Sequence, residues 1–215
     1  MDFLQELNRE LDEFWSWAET TREAYERDSS SSLIEDVCLY SEWDKILHLT
    51  GVIIAELATN PDSEAKIQAV LLVMALNNED QDILDRCEEG LHGEAAWQVI
   101  RRGAVFHAYE TRWQIAEWIR RSDQAEWNGV LETLLKDDDK YVQRRALLAM
   151  AEKLPSLADE YALEKIKDED FMLRLVSLRI LNEHDSPDLN ESLDFLSEDP
   201  EPLIRREVEE IRSLL

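Results

Sequence analysis

Glycine and proline are scarce, with five of each in 215 residues. Sandwiches and barrels built only of strands turn often and draw on these two residues to do it, so the shortage argues against an all-β class. Cysteine is scarcer still. Cys38 and Cys87 lie far apart and form no metal, redox or nucleophile motif, so they read as two buried or half-buried thiols in a reducing compartment. Long apolar runs are missing. The longest, such as AVLLVMAL at 69–76, fall far short of the roughly 18–20 residues that span a bilayer. The opening MDFLQELNRELDEF has neither the basic leader nor the apolar core of a secretory signal. A soluble, cytoplasmic protein without membrane contact is expected.

Positive charge is the last shortage. Lys and Arg number 23 against 49 Asp and Glu, a formal net charge of −26. Residues 1–100 hold 23 acidic and 6 basic side chains, and residues 101–215 hold 26 and 17, so the N-terminal half is the more acidic. Such a field repels nucleic acid and anionic lipid and speeds encounter with basic partners. It also keeps a protein soluble.

What the chain has in abundance is helical periodicity. Phe3, Leu7, Leu11, Phe14 and Ala18 recur three or four apart, the apolar stripe of an amphipathic helix. RDSSSS at 27–32 interrupts the pattern, serine being a good helix cap and a poor helix interior. Further helices are predicted at about 33–40, 42–58, 62–77, 79–90, 93–107, 109–121, 124–136, 139–153, 157–167, 170–183, 188–197 and 202–214. Strand-like alternation is hard to find, and the fold class expected is all-α.

The C-terminal half repeats itself. KDDDKYVQRRALLAMAEKL, KDEDFMLRLVSLRIL and SEDPEPLIRREVEEI align so that Val142, Leu173 and Ile204 fall 31 residues apart. Three residues before each stands an acid (Asp139, Asp170, Glu201). One residue after come Gln143, Arg174 and Arg205, and four after come Ala146, Ser177 and Val208. One period earlier lie Thr111, Arg112 and Ile115. A weaker copy has Asp62, Ala65, Lys66 and Ala69, 46 residues before the Thr111 copy, which is one repeat plus about one inserted helix. A fixed period of this length signals stacked helix pairs. The acid should cap the helix start, the apolar residue should open the buried face, and the small residue should permit close helix approach. Second helices follow each first one, as in EWNGVLETLLK, DEYALEKIK and NESLDFLSE.

This acid–x–x–apolar–basic–x–x–small pattern resembles the HEAT repeat family in its short bacterial variety, well over 109–215 and loosely over 62–90. The resemblance implies a right-handed α-solenoid: an N-terminal helical region, 1–60, packing on one continuous repeat array, 61–215. The sequence departs from the family at Gln143, where an arginine is usual, and at Ile115 and Val208, where a small residue is usual. The last helix, PLIRREVEEIRSLL, is polar on one face, as a terminal cap should be.

Catalytic signals are weak. His107 and Glu110 lie three apart and Asp44 and His48 four apart, but neither pair has the further ligands a metal needs. No Gly-rich phosphate loop or nucleophile elbow occurs. Acidic pairs such as Asp137–Asp139 read as solvated caps at a turn. Among the tryptophans, Trp127, Trp113 and Trp118 read as core, while Trp15 and Trp17 point in different directions, leaving one as a candidate exposed anchor. The HEAT-like DNA glycosylases have a similar size, yet a DNA groove needs cationic contacts that this charge balance does not supply.

The function expected is therefore an acidic helical-repeat module that binds a basic protein partner, with no cofactor, metal or nucleic acid; oligomeric state stays open. The second helices commonly line the inner face of such arrays, which nominates Glu126, Glu132, Glu160, Glu164, Glu191 and Asp194, with Asp82, Asp85 and Glu89 from the more acidic half. A sharper form is an immunity or inhibitor protein that neutralises a basic toxin. Two alternatives stand beside it: an enzyme or small-ligand binder with Arg112 or His107–Glu110 lining a pocket, and a structural adaptor with an apolar patch on the first helix.

Overall fold

The computed structural model describes residues 2–27 and 37–215. Among these the chain is all-α, with thirteen α-helices and no strand. In order they are α1 Phe3–Trp17, α2 Arg22–Arg27, α3 Trp43–Thr59, α4 Glu64–Leu76, α5 Asp82–Gly90, α6 Gly93–Gly103, α7 Tyr109–Arg121, α8 Gly129–Leu134, α9 Lys140–Lys153, α10 Pro155–Lys165, α11 Phe171–Glu183, α12 Leu189–Leu196 and α13 Pro202–Arg212. This arrangement is compatible with a helical repeat fold. The first half of the helix predicted at 33–40 lies outside the described residues, and its second half holds a 3-10 turn at Val37–Leu39. The short α2 was not predicted, and the 124–136 helix is a 3-10 turn at Ala125–Trp127 followed by α8. No helix among the described residues is long and apolar enough to cross a membrane.

The chain divides into two compact units, Met1–Trp118 and Ile119–Leu215, so the division falls inside α7. In the first unit α4 is buried along most of its length, at Ile67 and from Ala69 to Leu76. A helix apolar on all sides belongs at the centre of a core, and α1, α3, α5 and α6 pack around it. Aromatic residues fill the adjoining space. Phe14 meets Trp15, Trp17, Tyr40 and Trp43 with ring centroids 5.0–5.8 Å apart. As expected of residues two apart, Trp15 is buried and Trp17 is exposed. Across α1 and α3, the buried Glu10 takes hydrogen bonds from Lys45 at 2.7 Å and Arg9 at 2.8 Å, which hold its carboxyl below the ordinary range against the opposing pull of burial.

In the second unit, α9 and α11 pack together, as do α11 and α13, while α10 packs on both α9 and α11 and α12 on both α11 and α13. Polar ties show that neighbouring odd helices run the same way. Lys140, at the start of α9, contacts both carboxylate oxygens of Asp168, just before α11, at 2.9 Å. Arg174 in α11 grips Asp199, just before α13, and Arg179 further along α11 meets Glu207 in α13 at 2.7 Å. The predicted buried positions hold. Val142, Leu173, Ile204, Ala146, Ser177 and Val208 are all buried.

The repeat is visible in hydrogen bonds as well as in spacing. Arg174 Nη1 donates to the carbonyls of Asp168 and Glu169 at 2.8 and 3.0 Å. Arg205 Nη1 donates to Asp199 and Pro200, at 2.5 and 3.0 Å, and Arg112 Nη1 to Phe106 and His107, both at 2.8 Å. Gln143, which replaces the basic residue of the other copies, still donates to the carbonyl of Asp137 at 2.5 Å. Each side chain returns to the carbonyl six residues upstream and ties the helix to the turn that enters it. The weaker copy does not do so: Lys66 pairs with Glu56 instead, at 2.8 Å, and Ala65 is exposed.

Two expectations about the turns need correction. Asp139 and Asp170 cap their helices, accepting from Val142 N at 3.1 Å and Leu173 N at 2.7 Å. Glu201 caps nothing. Pro202 follows it and has no N–H to satisfy. The acids two places earlier are the second correction. Asp137, read as part of a solvated cap, is half-buried, and its counterparts one and two repeats on, Asp168 and Asp199, are half-buried and buried. Asp137, Asp168 and Asp199 each accept the backbone N–H two residues on, at 2.8–2.9 Å.

Candidate acidic surface

Of the nine nominated carboxylates, eight are exposed and Asp82 is half-buried. They are distributed over both units. Asp82, Asp85 and Glu89 lie on α5 in the first unit. At spacings of three and four, these share one face of a helix. In the second unit Glu126 sits in the 3-10 turn, Glu132 on α8, Glu160 and Glu164 on α10, and Glu191 and Asp194 on α12. Asp194 pairs with Arg212, and Glu164 lies 3.8 Å from Lys165. Among the described residues Asp82, Glu89, Glu126, Glu132, Glu160 and Glu191 make no ion pair. Other carboxylates, such as Glu10, Asp168, Asp199 and Glu207, have a cation in hand.

Asp82 has a further setting that sequence spacing did not indicate. It lines a cleft of about 250 Å³ together with Cys38, Tyr40, Ser41, Trp43, Asp44, Leu47 and Asp80. Three segments build the cleft. One is the 3-10 turn with the residues after it, another is the first two turns of α3, and the third is the bend between α4 and α5. The bend is fixed by buried Asn77, whose side-chain oxygen accepts the N–H of Ile83 at 3.1 Å and so caps α5. Arg86 then ties α5 to α3 through the carbonyl of Leu47 at 2.5 Å. The thiol of Cys38 donates to Asp80 Oδ2 at 3.4 Å. Cys38 is exposed, whereas Cys87 is buried and its thiol is pushed up by that burial. Burial, and then the carboxylates of Glu13, Glu10 and Glu42, raise the Tyr40 hydroxyl above its ordinary value.

The pocket imagined around His107, Glu110 and Arg112 has a different character. Arg112 holds two backbone carbonyls, as its counterparts do. His107 is half-buried between Phe106, with ring centroids at 4.1 Å, and Tyr25 at 6.4 Å. Its Nε2 is buried without a hydrogen-bond partner among the described residues. Burial lowers its pKa, with Glu26 opposing and Arg22 and Arg112 assisting. Glu110 is buried. No group of three or more His, Cys, Asp or Glu side chains among the described residues is placed to hold a metal. His48 and Asp44 are both exposed. Among the described residues His184 meets a carboxylate, its Nδ1 lying 2.5 Å from Asp159, a partner 25 residues away that no helix spacing could reveal.

No protein-family model matches the chain, and no curated protein matches it significantly.

Proposed function

We propose that this protein is a HEAT-like helical-repeat module, a right-handed α-solenoid, that engages a basic protein partner through its acidic surface. One observation carries the proposal: among the described residues exposed Glu89 on α5, Glu132 on α8, Glu160 on α10 and Glu191 on α12 make no ion pair, in a chain of net charge −26. Uncompensated like charges create a long-range field that raises the association rate of an oppositely charged surface. An immunity or inhibitor role is the sharper form, since proteins that act on nucleic acid carry basic surfaces and an acidic binder blocks them directly.

The test is affinity capture with the tagged full chain, washed at low and at high salt, beside a Glu132→Lys/Glu160→Lys/Glu191→Lys variant. A basic protein held by the native chain, released by salt and not held by the variant, supports the proposal. Capture insensitive to both salt and charge reversal refutes it.

A further inference from the structure

We infer that the cleft between α3 and α5 is the receptor for a cationic side chain, a guanidinium foremost, presented by a protein partner; this rests on the acidic-binder reading above and gives it a place. Among the described residues the cleft is lined by three carboxylates, Asp44, Asp80 and Asp82, and by no lysine, arginine or histidine. None of the three makes an ion pair among the described residues. The undescribed residues 28–36 read DSSSSLIED and contain no cation to offer.

Asp44 and Asp82 lie in the first turns of α3 and α5, where the helix dipole favours an acid. That effect accounts for only part of the charge. Each helix start carries roughly half a positive charge, so two of them leave about two of the three negative charges unbalanced. Asp80 precedes α5.

The walls select the kind of cation. Tyr40, Trp43 and Leu47 place apolar surface beside the carboxylates, the arrangement that suits a long side chain with a methylene stem and a charged head. A bare metal ion would want converging oxygen ligands, and no metal-holding group is present among the described residues. At about 250 Å³ the cleft is below the roughly 300–1,000 Å³ typical of small-molecule sites, but it is open and sized for one inserted side chain. The face of α5 continues outward through Asp85 and Glu89, both exposed, so neighbouring basic residues of the same partner would meet further acids. Guanidinium is favoured over ammonium because its planar fork can engage two carboxylates and stack on an aromatic face.

The experiment is an amide-resolved NMR titration of the full chain with N-acetyl-arginine amide, and with its neutral isostere N-acetyl-citrulline amide. Saturable shifts at Asp44, Asp80, Asp82 and the Trp43 indole N–H are expected with the arginine probe alone. An Asp80→Asn/Asp82→Asn variant should bind it about tenfold more weakly, as the loss of one exposed and one half-buried ion pair allows. Equal shifts with citrulline, or shifts spread over all surface acids without saturation at the cleft, would overturn the inference. A second arm uses a nona-arginine peptide and reads its salt-dependent affinity. Equal binding by the native chain and the variant overturns the cleft while leaving the acidic surface standing. Cleft shifts with the single residue but no binding of the peptide would keep the cleft and remove the wider reading.

Discussion

Arg174 and Asp199, 25 residues apart, meet in a two-pronged ion pair, Nε to Oδ2 at 2.7 Å and Nη2 to Oδ1 at 2.9 Å. Both residues are buried, and the remaining guanidinium nitrogen holds the carbonyls of Asp168 and Glu169. One side chain thus fixes its own helix to the preceding turn and to the turn of the next repeat.

The pair separates two contributions. Arg174→Gln should preserve the backbone tie, as Gln143 does for Asp137, but strand the Asp199 carboxylate. Loss of one partner of a buried pair costs about 3–5 kcal/mol, and the lower end is expected because Asp199 keeps the N–H of Glu201. The double variant Arg174→Gln/Asp199→Asn should recover much of that loss in urea unfolding. If it is no more stable than Arg174→Gln, the two side chains are not coupled.

Acid should loosen both units. Hydrogen bonds from Lys45 and Arg9 hold Glu10 low, and Arg179 does the same for Glu207. For Asp168 and Asp199 burial pulls upward, but backbone N–H groups and the cations Lys140 and Arg174 prevail and the net shift is down. A depressed folded pKa means that the unfolded chain binds the proton first. The associated stability is fully present above the unfolded value, about 4 for these groups, and is lost as pH falls through the lower folded values. Urea midpoints should therefore drop below about pH 4. Lys45→Met should flatten the part of that drop belonging to Glu10; an unchanged acid limb would remove the Lys45–Glu10 pair as a cause.

Gly103 explains how Ile115 occupies a position where the Val142 and Leu173 copies carry Ala146 and Ser177. A Cβ built on Gly103 would lie 2.5 Å from Ile115 Cδ1 and 3.1 Å from Leu71 Cδ2. The missing side chain of α6 makes room for the large one on α7. Gly103→Ala should cost about 1–3 kcal/mol by overpacking, despite a helix-propensity gain of roughly 1 kcal/mol. Adding Ile115→Val should restore part of it. A more stable single variant would show that Ile115 moves aside freely.

Ala146 is fully buried on α9, so Ala146→Phe should destabilise the second unit by about 1–3 kcal/mol or more. Reversal of the exposed Glu160 to Lys should instead stay within about 0.5 kcal/mol. Thermal melts of the two variants give the comparison, and similar losses in both would contradict the assigned faces.

The sequence by itself determined the all-α class, because helical periodicity runs through the chain and turn formers are few. It also carried the 31-residue register, since Val142, Leu173 and Ile204 must each open a buried face. What tertiary structure alone decided is which polar residues meet. Asp168 and Asp199 look like any acids at a turn until Lys140 and Arg174 arrive from the preceding repeat. The cleft draws Tyr40 and Trp43 together with Asp80 and Asp82 from segments some 40 residues apart, a conjunction that no local period encodes. Helix spacing reports the direction of a side chain from its own helix, and only packing determines what stands opposite.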